Sequence, residues 1–331
     1  MTTLPRKVVL RVPASTANMG PAYDCLGMAL SIFLEVTVEH ADVFFVSMEG
    51  EGNEEVSKDA DNMVVKACRL GFEHANKEMP VLKFTIKSGI PYGCGCGSSS
   101  AAAVAGFVAG MCLCGNAVAT EGMDDSRAQL HAITRFEGHP DNAAAVLYGG
   151  VQLCCSVQDG QVITSRVPTP PGLSVVLFLP RNKMKADTHA TRGLIPGVVS
   201  LEDAVYNISR ASLLVLALST NNLELLRCCG DRLHEGRRAD ALFPHFHACV
   251  DAARKAGASY AFLSGAGPAV CAFVDACSSE VLPRTGERLV VDRVAEAMVE
   301  AASTAGVPGR AVITQPCSQG VQIVSIDPAH P

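Results

Sequence analysis

Three glycines alternate through five residues in the segment Ile90-Pro91-Tyr92-Gly93-Cys94-Gly95-Cys96-Gly97-Ser98-Ser99-Ser100, and a run of small helix-forming residues begins at Ala101. A strand-like stretch, Leu82 to Ile86, stands just before it. Glycine lets the main chain turn its N–H groups inward with no side chain in the way. Serine caps helices well, and a helix N-terminus presents unpaired N–H donors and partial positive charge. Strand, glycine loop and helix together make a cradle for phosphate. The Walker A loop is excluded, because it ends in Gly-Lys-Ser/Thr and no lysine lies between Ser88 and Arg127. Amide dipoles and a metal ion must then neutralise the phosphates. Taken alone, the loop is also compatible with a plain turn.

A chain of 331 residues is long enough for one large domain or two medium ones. Its net charge of −6, with no run of Lys or Arg, argues against nucleic acid or an anionic membrane as partner. Tryptophan is absent, so stacking on bases is not a theme. The longest run of small apolar residues, Ala101 to Cys114, is too short to span a bilayer. With no secretory pattern at the start and a final Ala329-His330-Pro331 that is not a peroxisomal signal, the cytoplasm is the expected compartment. None of the close cysteine pairs among the 14 cysteines has C-x-x-C spacing, so most read as small buried hydrophobes rather than zinc ligands. Cys94 and Cys96 are exceptions, because a thiol in an anion-binding loop can have a lowered pKa.

Alternating strand patterns cover residues 6–12, ending at Pro13, then Met28 to Val38 and Val43 to Met48. Asn62 precedes an amphipathic run, Met63 to Asn76, and can cap that helix. Helices are predicted over Ala101 to Leu113, which should pack closely on a sheet, and Asp125 to Phe136, followed by a strand Val151 to Val157. The cluster Pro168-Thr169-Pro170-Pro171-Gly172 marks a boundary, dividing the chain into 1–167 and 168–331. Beyond it lie a strongly apolar strand, Leu173 to Leu179, helices near 201–220, 222–232 and 246–256, and strands Tyr260 to Leu263 and Ala269 to Val274. A helix near 288–305 and a strand Val321 to Ile326 close the chain. Interleaved strands and helices in each half predict a two-domain α+β protein.

Four segments, in order, resemble one family. Val12 to Gly27, with its core Asn18-Met19-Gly20-Pro21-Ala22-Tyr23-Asp24, is similar to the opening signature of homoserine kinases. Pro91 to Ala101 resembles the phosphate loop of the wider GHMP kinase superfamily, and Ser264-Gly265-Ala266-Gly267-Pro268 its third motif. Glu137-Gly138-His139-Pro140-Asp141-Asn142, followed by Gly149-Gly150, resembles a further homoserine-kinase segment. Ala22, Cys96 and Ser100 depart from the usual glycine, leucine and alanine, and all are small or apolar enough to fit.

The resemblance implies the fold: an N-terminal half like the second domain of ribosomal protein S5 and a ferredoxin-like C-terminal half, with the site in the cleft between. It implies ATP-dependent phosphorylation of the L-homoserine hydroxyl to O-phospho-L-homoserine, in threonine biosynthesis. ATP and Mg²⁺ are the implied cofactors. Family members lean towards homodimers, and the sequence itself carries no sign of oligomeric state.

By the same resemblance, Pro91, Gly93, Gly95, Gly97, Ser98, Ser99 and Ser100 wrap the phosphates, and Gly265 and Gly267 form the third motif. Ser99 and Glu137 pair as a Mg²⁺ site of hydroxyl and carboxylate, which suits a hard ion; Ser99 could also cap its helix. Asn62 matches an adenine-contacting position as well as a cap. The substrate carboxylate calls for arginine, and Arg192 and Arg238 match, with Arg237 a neighbouring alternative. Asp24 takes the ammonium, Asn18 orients the substrate, and His139 contacts it or serves structure. Asn142 falls nearest the reacting hydroxyl. Asparagine cannot accept a proton at neutral pH, so in-line transfer through a loose transition state without a strong base is expected, with Asp141 the rival base. Competing readings are another GHMP kinase, acting on mevalonate or a sugar, and a non-catalytic sensor of ATP and an amino acid.

Overall fold

The computed structural model describes residues 4–116, 118, 124–157, 161–181, 191–275 and 289–327. Two sheets organise it. The larger has seven strands and begins with a long antiparallel pair, β1 (Lys7–Ala17) and β2 (Leu26–His40). Proline was expected to stop β1 at Pro13. Instead the strand runs on to Ala17, because the register shifts between Pro13 and Ala14 and absorbs the missing N–H in a bulge. β3 (Phe45–Gly50) lies parallel to β4 (Leu82–Ser88), and β4 pairs with the C-terminal part of β2. The start of β2 pairs instead with β5 (Val151–Ser156), which carries β6 (Val162–Val167), a strand the sequence reading missed.

Helix α1 (Met63–His74) crosses from β3 to β4 and buries Val64, Val65, Ala67, Cys68, Gly71 and Phe72 on one face. Asn62 caps it, its Oδ1 accepting the Val64 N–H at 2.9 Å. The helix after the glycine loop, α2 (Ser98–Leu113), is apolar nearly all round and buried nearly all round. It packs on β1 of the sheet as expected and more extensively still on α1. A Cβ on Gly106 would stand 2.2 Å from the Val64 carbonyl oxygen, so the two backbones touch and only glycine fits. α3 (Asp124–Glu137) and α4 (Asp141–Tyr148) complete this layer; the eight residues of α4 are all buried.

The smaller sheet has the order β10-β7-β9-β8, all antiparallel: β7 (Leu173–Pro180), β8 (Tyr260–Leu263), β9 (Val270–Asp275) and β10 (Gly309–Thr314). Between β7 and β8 come α5 (Leu201–Ser219), a 3-10 turn Leu223–Cys228 where a longer helix was expected, α6 (Glu235–Leu242) and α7 (Phe246–Ala256). α8 (Val290–Thr304) links β9 to β10. This is the βαββαβ order of a ferredoxin-like unit. α7 and α8 set Phe246, Cys249, Val250 and Ala253 against Val294, Met298 and Ala302 over one face of the sheet.

A cut at 167/168 falls between β6 and β7, that is, between the two sheets. The last strand, β11 (Gln322–Asp327), crosses back and pairs with β1 at the edge of the seven-stranded sheet. No helix among the described residues is long and apolar enough to cross a membrane.

Candidate active site

Three chain reversals meet where the two sheets adjoin. The end of β1 supplies Ser15 to Asn18, the loop before α2 supplies Cys94 to Gly97, and the turn between β8 and β9 supplies Ser264 to Gly267. They are stitched together by main-chain bonds. Ser15 N–H donates to Cys96 O at 3.1 Å, Gly265 N–H to Ala17 O at 2.9 Å, and Ala269 N–H to Cys94 O at 3.0 Å. The Ser264 hydroxyl donates to Gly95 O at 2.7 Å. A Cβ on Gly95 would lie 2.1 Å from the Ser264 carbonyl oxygen, so the loop and the turn approach as closely as backbones can.

The loop enters α2 through Gly97, which holds a left-handed conformation at φ 68° and caps the helix with no side-chain bond. Helix α2 therefore starts at Ser98, three residues earlier than expected, and the three serines sit inside its first turn. No serine caps the helix. Its first N–H groups stay directed at the cleft, as an anion site requires. Ser99 and Ser100 instead turn their hydroxyls to the end of α3, donating to Glu137 Oε1 at 2.8 Å and Oε2 at 2.5 Å. Two hydroxyls and one carboxylate are a hard-oxygen set that fits Mg²⁺, an ion commonly held by one or two carboxylates plus substrate phosphates. Among the described residues no cluster of three or more His, Cys, Asp or Glu forms a dedicated metal cage.

The cleft in front of α2 encloses about 210 Å³ and is lined by Gly93, Gly95 and Gly97, Ser98 to Ser100, and Gly265 to Gly267. Asn18, His139, Asn142, Arg192 and Arg238 line it as well. A second cavity of about 260 Å³ adjoins it, sharing Tyr92, Ser98 and Ser99 and reaching to Met48, Ile90 and Asn62. The Asn62 side chain also serves structure there: besides capping α1 it donates to Ser57 O at 2.7 Å. Pro91 lies behind the loop, against a further cavity bordered by Arg181 and Arg310.

Asn18 and Asp24 both sit in the left-handed region, at φ 56° and 54°, where Asn and Asp are the non-glycine residues best tolerated. Asn18 Oδ1 accepts the Asp24 N–H at 2.8 Å, closing the turn. Asp24 meets Arg192 in a two-pronged ion pair, both contacts 2.7 Å. Thr188 to Ala190 of the Arg192 motif lie outside the described residues.

Arg238 comes from α6, a helix the sequence reading missed. It is 1 % exposed and faces the cleft, whereas Arg237 points to solvent. Asp231 accepts the N–H groups of Leu233, His234 and Glu235 and so fixes where α6 begins. The Arg238 Nη1 donates to Gly265 O at 3.2 Å, its Nε has no partner, and no carboxylate pairs with it among the described residues. Burial pulls its pKa below the usual arginine value, yet a guanidinium starts so high that it stays a cation at neutral pH. A buried cation with no counter-charge is costly and marks where an anionic ligand group gains most. Tyr23, unremarked in the sequence, lies under both guanidinium groups, 5.4 Å from Arg192 and 5.1 Å from Arg238.

Asn142 Oδ1 accepts the Ser15 hydroxyl at 2.8 Å, which orients the amide. Asp141 lies behind it, 1 % exposed, with Oδ1 accepting the Asn142 N–H at 2.8 Å and facing His139 Nδ1 at 3.4 Å. Asp141 is set back from the cleft lining, whereas Asn142 is part of it. Burial acts to lower the His139 pKa, but the hydrogen bond and charge of Asp141 outweigh it and hold His139 above its ordinary value.

The thiols in the loop are not activated. Burial pushes Cys94 up to about 11 and Cys96 higher still, against the lowered pKa expected of an anion-binding loop. The described cysteines are all free.

The GHMP kinases N terminal domain family matches residues 62–150, and the GHMP kinases C terminal family residues 214–303. A homoserine kinase of Moorella thermoacetica is 35 % identical over 96 % of this chain and 99 % of its own. A homoserine kinase of Corynebacterium kroppenstedtii is 37 % identical, covering 96 % of each chain. The chain belongs to the homoserine kinase family of GHMP kinases. The crystal structure of homoserine kinase from Cytophaga hutchinsonii superposes on this kinase with a TM-score of 0.79 at 25 % identity, covering 96 % of one chain and 97 % of the other. Lactococcus lactis galactokinase, at 15 % identity and a TM-score of 0.64, shares the fold alone.

Glu235, next to the site on α6, is buried and accepts the Leu263 N–H at 2.7 Å. Burial, with the charge of Asp231 second, pushes it up to about 8 from an ordinary 4.5. The folded form keeps a proton that the unfolded chain releases, so its contribution is complete below about pH 4.5 and drains away towards pH 8. Wild-type Tm should thus fall between pH 5 and pH 8 by several degrees more than that of Glu235→Gln. Parallel melting curves for the two proteins would refute this.

Proposed function

We propose that this protein transfers the γ-phosphoryl group of ATP to the side-chain hydroxyl of L-homoserine, giving O-phospho-L-homoserine for threonine biosynthesis. The observation that carries the reading is the joint lining of one cleft. A helix N-terminus with free amides and a buried Arg238 that has no carboxylate partner among the described residues line the same cleft of about 210 Å³.

The nucleoside belongs in the adjoining cavity by Met48 and Ile90, with its polyphosphate running past Tyr92 onto Gly93 to Ser98. Ser99 and Glu137, with Ser100 beside them, would hold Mg²⁺, which when bound offsets charge on the phosphate oxygens. Arg238 and Arg192 receive the substrate carboxylate, Asp24 the ammonium, and Asn18 orients the backbone end. Asn142 lies nearest the hydroxyl. Fixed by Ser15, it positions that hydroxyl for in-line attack but takes no proton. Bond breaking leads in a loose transition state, so positioning and charge neutralisation supply the acceleration. A mevalonate or sugar acceptor, lacking an amino group, would leave Asp24 without a task. A cytoplasmic location, and a homodimer of the kind towards which family members lean, complete this reading.

A coupled ADP-release assay with homoserine, mevalonate and galactose tests the reading. Turnover with homoserine should exceed the other two by at least about 10³-fold, the range that unsatisfied polar groups enforce. Binding of homoserine without ADP release would make the protein a sensor.

A further inference from the structure

Asp24 and Arg192, the groups assigned to the two charges of the substrate, are bonded to each other. Their contact is a two-pronged fork with both N···O distances 2.7 Å, each side chain 32 % exposed. The fork is braced from both sides. Asp24 is held by the Asn18–Asp24 turn, and Arg192 lies over the Tyr23 ring. Arg238, a turn of space away on the same ring, carries no such partner.

We propose that the Asp24–Arg192 pair is a latch that only a zwitterion opens, and that this exchange selects an α-amino acid alcohol over alcohols bearing a single charge. The inference rests on the homoserine reading above. When an ammonium takes Asp24, Arg192 loses its partner and must find another anion; the carboxylate of the same ligand supplies it, alongside Arg238. Two ion pairs replace one, and no charge is stranded. A ligand with a carboxylate alone meets Arg238 but finds Arg192 already occupied, and prising Arg192 away strands Asp24. A ligand with an ammonium alone strands Arg192. Removing one partner from this half-buried fork leaves a charge facing no counter-charge, whereas exchanging both is close to balanced. The contact therefore works by rejection as much as by attraction, which is how sharp selectivity is reached.

A plain binding role for Asp24 makes a different prediction from a latch. If Asp24 serves only to bind ammonium, Asp24→Asn weakens homoserine and leaves 4-hydroxybutanoate, its deaminated analogue, untouched. If Asp24 also restrains Arg192, the substitution frees that arginine. Asparagine suits the left-handed backbone at this position, so the turn survives. The experiment measures kcat/KM for homoserine, 4-hydroxybutanoate and 3-aminopropan-1-ol in wild type, Asp24→Asn and Arg192→Met. Asp24→Asn should lose homoserine by about 10²-fold or more while gaining at least about 10-fold on 4-hydroxybutanoate. Arg192→Met should show the mirror image, gaining on 3-aminopropan-1-ol. An unchanged or lower kcat/KM for the singly charged analogue in both variants overturns the latch while leaving the homoserine reading intact. Absence of wild-type turnover with homoserine would instead defeat that reading itself.

Discussion

Arg238→Met is expected to yield a protein that is more stable and nearly inactive towards homoserine. The guanidinium is buried without a carboxylate partner among the described residues. Replacing a buried charge with a flexible apolar chain of similar length commonly stabilises by about 1–4 kcal/mol. The one carbonyl that Arg238 serves, Gly265 O, keeps a donor in Asn18 Nδ2 at 3.3 Å. Removal therefore strands no carbonyl, and the one acceptor that loses a donor is the His234 Nδ1, 3.5 Å from Arg238 Nη1. The substrate carboxylate, by contrast, loses its least encumbered counter-charge, which costs about 2–5 kcal/mol in transition-state binding, or roughly 30- to 5,000-fold in kcat/KM. Most of the loss should appear in KM for homoserine, with ATP affinity retained. Thermal melts and steady-state kinetics on the same preparation check both halves. A variant that is less stable than wild type, or one that keeps wild-type kcat/KM, would remove Arg238 from the substrate site.

Glu137→Gln should produce the opposite split, a fall in kcat with little change in the KM for homoserine. Glu137 anchors the hydroxyls of Ser99 and Ser100 at the mouth of α2. A glutamine still hydrogen-bonds, so the first turn of α2 should hold its shape, but the negative charge is gone. Losing the carboxylate that would hold the ion offsetting phosphoryl charge is expected to cost about 3–4 kcal/mol, or roughly 10²–10³-fold. The Mg²⁺ concentration needed for half-maximal rate should rise as well. An unchanged kcat at the same Mg²⁺ requirement would assign the carboxylate to helix packing instead.

Much of the site could be read in the sequence because its chemistry is local. Gly93, Gly95, Gly97 and Ser99 stand within seven residues, and the need for bare amides before a helix is written in their order. Asp24 and Arg192 were likewise nameable one at a time. Their mutual fork was not, since 168 positions separate them and no spacing rule reports which groups will satisfy each other before a ligand does. Arg238 against Arg237 was undecidable because α6 has only eight residues, too few for a clear period. Once Asp231 fixes the start of that helix, the face each arginine occupies follows. Tyr23 escaped notice because a lone aromatic reads as core. The run of β1 through Pro13 was hidden for a related reason: a bulge depends on the partner strand, Phe33 to Leu30, and not on the proline alone.

The central claim is that main-chain amides at the start of α2, with no lysine among the residues lining the cleft, hold the triphosphate. A crystal structure of the enzyme with a non-hydrolysable ATP analogue, Mg²⁺ and homoserine tests it most directly. The β- and γ-phosphates should lie within hydrogen-bond distance of the N–H groups from Gly95 to Ser99, with the base beside Met48 and Ile90. A polyphosphate seated away from α2 and gripped by basic side chains elsewhere would contradict the account.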